Sequence, residues 1–301
     1  MRIGSRTWLF VALGILAFPA WAKLNVFACT PEWGALAQEL GGAQASVYTA
    51  TTALQDPHRI EARPSLIARA RNADLAVCTG ADLEVSWLPL VQSQSGNPKI
   101  RAGQPGYFEA ASAVTLLEKP ARVDRSLGDV HPAGNPHLHL DPRNIALVAA
   151  ALGERMSALD ASNAAHYAER TRSFLQRWRE ATARWERQAQ PLNGAAVIVH
   201  HKNLSYLLAW LGMREAGALE PKPGVPPSAA HLNQLLDGLK RAPARAVLRA
   251  AYNDPRPSEW LAAQAGIPAL MLPFTVGGSE RAQDLFGLYE ETVGRLQAIA
   301  K

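Results

Sequence analysis

Residues 160–190, DASNAAHYAERTRSFLQRWREATARWERQAQ, contain neither Gly nor Pro, and their reading decides the fold. The large apolar side chains Tyr167, Phe174, Leu175, Trp178 and Trp185 stay near one face of a helix of about 3.6 residues per turn. Asp160 or Ser162 can cap its start, and Pro191 ends it. At its rise per residue such a helix runs about 45 Å, enough to span two lobes as a strut. The plainer alternative is a surface helix of one domain. Working outward, both flanks alternate short apolar runs with helical patterns. Before the helix, strands are expected at 24–29, 45–48, 74–78 and 113–117, and helices at 32–40, 64–72 and 142–159. After it, strands are expected at 195–199, 247–251 and 269–272, and helices at 205–211, 228–241, 258–265 and 280–300. Alternation of this kind implies parallel sheets covered by helices. The expected fold is α/β: two lobes, each a mostly parallel sheet flanked by helices, joined by one long rigid backbone helix. The lobes would be 23–159 and 191–301, with 160–190 connecting them.

Residues 1–22 read as a signal peptide. Arg2 and Arg6 precede the apolar run Trp8–Phe18, and Ala20-Trp21-Ala22 supplies the small-x-small cleavage pattern. The run is too short for a comfortable membrane span of about 20 apolar residues, and no later segment approaches that length. A mature chain exported without membrane insertion follows. Without those two arginines, the net charge falls from +5 to about +3. No basic stripe interleaved with aromatics argues for nucleic acid. The two cysteines, Cys29 and Cys78, each lie near the end of an expected strand. They fit either an export-compartment disulfide or two small core residues.

Three histidines beside turns or apolar runs carry the functional signal: His58 in Asp56-Pro57-His58, His137 in Asn135-Pro136-His137, and His201 directly after Val197-Ile198-Val199-His200. Neutral imidazole is the commonest ligand for a borderline-soft divalent metal. Open parallel sheets bind ligands at the carboxyl ends of their strands, where His201 falls. Asp141 and Pro142 read as the N-cap and first residue of the helix after His137. Ligands from both lobes would place the metal in the cleft. His200 should point to the opposite strand face from His201. His139 is a minor candidate, His131 a candidate auxiliary ligand, and His166 and His231 read as structural.

The ordered pattern Asp56-Pro57-His58, Pro64-Ser65, Ala73-Asp74-Leu75, Gly80-x-x-x-Glu84-x-x-Trp87, Asn135-Pro136-His137-x-x-Leu140-Asp141-Pro142, then His201 with Tyr206, resembles the zinc/manganese-specific substrate-binding proteins of ABC importers. The likeness covers nearly the whole mature chain. It implies a periplasmic receptor with two α/β lobes on a rigid helix, holding a metal at the residues matching His58, His137 and His201. It also implies a membrane permease as partner; a monomeric receptor is expected, and a metal chaperone is a further candidate partner. Glu84 and Trp87 fall in the family's fold-supporting segment. The chain departs from the family where many members supply an aspartate ligand, since residues 272–278 hold no carboxylate. Asp254 in Asn253-Asp254-Pro255 is the substitute considered; Glu84, Asp56 and a water are the weaker ones. Residues 118–134 contain only His131 in place of a His-rich loop, and His139 stands where the family often has tryptophan.

Three imidazoles with at most one oxygen favour Zn2+ over Mn2+, while Cu2+ is the intrinsically tighter competitor. Affinity should fall as pH drops through about 6, because only neutral imidazole ligates. Three histidines and a water would also suit an exported zinc enzyme. That enzyme needs a positioned acid or base, and no His-Glu-x-x-His element occurs. A binder of a larger ligand such as haem or a corrinoid would need an aromatic-lined cleft, and an adhesin with a structural metal is the remaining alternative.

Overall fold

The computed structural model of the protein describes residues 23–121, 128 and 130–300. The expected signal peptide at 1–22 lies outside them. The first half runs β1 (Leu24–Ala28), α1 (Pro31–Gly41), β2 (Ala45–Thr49), α2 (Pro64–Arg71), β3 (Leu75–Cys78), α3 (Leu88–Ser95), β4 (Tyr107–Glu109) and α4 (Pro142–Leu159). Then come α5 (Ala164–Ala189), β5 (Ala196–Val199), α6 (Ser205–Leu211), β6 (Arg214–Ala218), α7 (Ala229–Arg241), β7 (Val247–Ala250), α8 (Pro255–Ala265), β8 (Ala269–Leu272) and α9 (Leu285–Leu296). The strands form two parallel four-stranded sheets, ordered β2-β1-β3-β4 and β6-β5-β7-β8. The two orders are the same topology repeated. Each sheet reverses direction of growth at its central pair, the place where open α/β sheets offer a crevice.

The long helix α5 has 26 residues, about 39 Å. Its buried stripe is Tyr167, Thr171, Phe174, Trp178, Ala181, Trp185 and Ala189, steps of three and four that keep one face inward. On the first-lobe side the Trp178 indole donates to Pro142 O at 2.8 Å, and Arg170 donates to Glu39 O at 2.7 Å. Gly153 of α4 lets that helix approach α5 closely, since a Cβ there would lie 2.2 Å from Thr171 Oγ1. On the other side Trp185 stacks on Tyr289 of α9 at 5.1 Å and donates to Glu290 at 2.8 Å. Phe286 closes the stack against Trp178 at 4.9 Å. A single apolar core therefore runs from β1 and α1 through α4 and α5 to β5, β7 and α9.

Three sequence expectations change. The run at 113–117 is not a strand. Residues 110–113 form a 3-10 turn, and Leu117 lies in irregular chain whose amide donates to the Tyr206 hydroxyl at 3.0 Å. The fourth strand is instead the short β4, and α3 and the edge strand β6 are additional elements. The last helix is shorter than 280–300, beginning at Leu285 behind an Asp284 cap. Cys29 and Cys78, both wholly buried, form a disulfide between the carboxyl ends of β1 and β3.

Candidate metal centre

His137 is set by the turn before α4. Asn135 Oδ1 accepts the His137 amide at 3.0 Å, and Asp141 caps α4 by accepting Arg143 N at 2.9 Å. Tyr206 of α6 donates to Asn135 O at 2.7 Å, and the Asn135 amide donates to Lys202 O at 2.9 Å. These bonds tie the His137 turn to the segment that follows β5, where His201 sits. His58 comes from the irregular chain after β2. The structure brings one ring nitrogen of each of His58, His137 and His201 to within 4.8 Å of the others. The ring centroids are 5.3 Å (His58 to His137), 5.9 Å (His58 to His201) and 5.9 Å (His137 to His201) apart.

Two carboxylates orient these rings. Nδ1 of His58 meets Asp56 Oδ1 at 2.7 Å, and Nδ1 of His201 meets Glu220 Oε2 at 2.7 Å. Each bond puts the proton on Nδ1 and leaves the lone pair on Nε2, the carboxylate–imidazole arrangement that supports metal ligands. Glu220 reaches His201 because β6 lies beside β5, and the Glu220 amide donates to His200 O at 3.0 Å. Nδ1 of His137 is buried without a hydrogen-bond partner among the described residues, so no protein group competes for it. Burial pushes the Asp56 carboxyl up, but its bonds and attraction to His58 hold it below the ordinary aspartate range.

A fourth imidazole, His131, meets the group at His58. His131 Nε2 lies 3.2 Å from His58 Nε2, and the rings are 5.2 Å apart. Burial, then repulsion from His58, pushes His131 down to about 4, against a bond to the Ala81 backbone and the charge of Asp82. Burial, then His58 and His201, also holds His137 well below the ordinary imidazole range. Both rings thus remain neutral and ligand-competent further into acid than a free imidazole, so proton competition at His137 sets in below the pH expected from sequence. A cavity of about 260 Å³, lined by Glu118, His131, Asn135, His137, His201 and Lys202 among others, adjoins the cluster.

Asp254 is not brought to this cluster. It caps α8, accepting Arg256 N at 3.0 Å, and its carboxylate is doubly bonded to the Arg256 guanidinium. It lines a different pocket, with His200, Glu220 and Trp260. Residues 272–278, which lack a carboxylate, contribute a wall instead. Phe274, at a left-handed φ of 69°, packs its ring 5.6 Å from His137 and 5.0 Å from His139. His139 is buried outside the three-histidine group, with Nε2 on Phe274 O at 3.0 Å and Nδ1 3.6 Å from Glu32. His166 and His231 bond backbone carbonyls of Gly41 and Ala218. Glu220 bears no mark in the sequence, since strand order creates its contact with His201, and Asp56 is engaged with the His58 ring and amide.

Two α/β lobes braced by one long helix, with imidazoles gathered where the strands of both end, define the substrate-binding protein class of metal import. Residues 26–299 match the family described as zinc-uptake complex component A periplasmic (ZnuA), and the chain belongs to that family. It is similar to the high-affinity zinc uptake system protein ZnuA of Paracoccus denitrificans (strain Pd 1222), 24% identical over 282 residues covering 82% of each chain. A crystal structure of ZnuA has the same fold, with a TM-score of 0.75 at 21% identity, covering 92% of this chain and 98% of that one. So does a Mn-bound periplasmic metal binding protein from Candidatus Liberibacter asiaticus, with a TM-score of 0.74 at 16% identity, covering 92% and 99%.

Proposed function

We propose that the protein captures Zn2+ at His58, His137 and His201, with His131 as the fourth nitrogen, and surrenders it to the permease of an ABC importer. The observation that carries this reading is the convergence of three ring nitrogens from distant segments to within 4.8 Å. The donor set argues for zinc. The carboxylates touching His58 and His201 are turned to Nδ1, leaving nitrogen for the metal, whereas Mn2+ prefers an oxygen-rich octahedron. Asp254, held by Arg256, has no part in it.

Like its family, the protein is exported, and cleavage after Ala22 is our reading of the leader. Among the described residues no helix is long and apolar enough to cross a membrane. The receptor works as a monomer carrying one ion, and a metal chaperone is a further candidate partner. No catalytic role is assigned to the centre.

Calorimetric titration of the metal-free protein should give one zinc per chain. Melting followed at a free zinc concentration 100 times the dissociation constant should show about 2.7 kcal/mol of added stability. A chain that takes up no zinc and melts identically with and without it would sink the assignment.

A further inference from the structure

His58 sits in a stretch, residues 50–63, without helix or strand. Its ring is fixed by Asp56, but a neighbour two residues away cannot place the main chain on the body of the lobe. Two bonds from a single turn of the same lobe anchor it there. The Trp87 indole donates to Pro57 O at 3.1 Å, and the Ser86 hydroxyl donates to His58 O in a short hydrogen bond.

The turn is itself held in an unusual shape. Ala81 and Asp82 are consecutive non-glycine residues at left-handed φ, 50° and 62°. Such backbone persists only where surrounding groups over-determine it. Here the buried Glu84 carboxylate accepts Thr79 N at 2.8 Å and Gly80 N at 3.1 Å, closing the turn on the end of β3. Glu84 makes those bonds at a cost, since burial pushes its carboxyl up to about 7 against them.

We infer that residues 80–87 are the positioning element of the metal centre: Ser86 and Trp87 place His58, and Glu84 keeps the turn in shape. None of these side chains touches the ion. The inference rests on the zinc reading, and its test separates the two. Ser86 is exposed, so Ser86→Ala removes one donor without opening the core.

Competition titration should show Ser86→Ala binding zinc about tenfold more weakly, the scale of outer-partner losses at metal sites. Its metal-free melting should match the parent. The cobalt-loaded variant should lose intensity in its d–d bands as the tetrahedral geometry relaxes. In a His58→Ala background the substitution should cost nothing further, a coupling that a general effect on folding would not produce. Trp87→Phe should act in the same direction, measured against its own metal-free melting because it opens core volume. Parent-like affinity and cobalt spectrum in both variants, with the parent binding zinc normally, overturns this inference alone. An undiminished loss in the His58→Ala background overturns it too. Absence of zinc binding by the parent overturns the site reading beneath it.

Discussion

Replacing His137 with alanine weakens zinc binding by at least about 100-fold. Losing a partner outside the coordination sphere already costs about 10–100-fold at metal sites, and His137 is read as a direct ligand. Its ring is 1% exposed, with His58, His201 and Phe274 around it. Water can take the vacated position only against the apolar wall that Phe274 provides. Metal-free stability should change little by comparison, because Nδ1 of His137 surrenders no hydrogen bond when it is deleted. The matched control is Asp254→Ala, which disturbs a helix cap and an exposed ion pair and should leave zinc affinity at the parent value. Competition against a chelator of known affinity reads both. Parent-like affinity in His137→Ala, or a comparable loss in Asp254→Ala, would mean that the ion sits elsewhere.

Removing the disulfide, as Cys29→Ala with Cys78→Ala, lowers the unfolding free energy by about 4 kcal/mol. The bridge closes a loop of sequence separation 49, and the chain-entropy relation for such a loop gives that figure, roughly a thousandfold in the folding equilibrium. Alanine is the informative replacement because both positions are wholly buried, where serine would add an unsatisfied hydroxyl. Equilibrium denaturation of parent and variant under the same buffer conditions measures the difference. A change below about 1 kcal/mol would show that the unfolded chain gains little freedom from losing the bridge. Zinc binding offers a second view of the same change. Cys29 O accepts the Thr51 hydroxyl at the start of the His58 stretch, and Cys78 precedes the turn that holds it.

Much of this architecture was legible in the sequence, for reasons that also explain what was not. Strands β3 and β5 are buried throughout and so read as unbroken apolar runs, and β1 is interrupted only by the exposed Asn25. Strand β4 has three residues, too few for any period, and the exposed edge strand β6, Arg214-Glu215-Ala216-Gly217-Ala218, has no apolar run at all. The apolar 113–117 run misleads because extended chain crossing between lobes can be as hydrophobic as a strand: Leu116 and Leu117 pack on the common core. Helix α5 was read from its stripe within a few residues at each end.

At the site, proline-bounded motifs mark His58 and His137, and a strand end marks His201. Glu220 carried no such mark, since only the pairing of β6 with β5 delivers it. Asp254 is instructive. Its Asp-Pro-Arg sequence is the same as that of Asp141-Pro142-Arg143, and both aspartates cap a helix and pair with the arginine two residues on. The local signature for a cap is present at both positions, and at both the structure uses the aspartate as a cap.

The seam of aromatic rings from Phe174 through Trp178, Trp185, Phe286 and Tyr289 is shared between the halves, although each also has a smaller apolar cluster of its own. A wide swing of one half away from the other would wet these rings and forfeit the burial that makes the protein a single cooperative body.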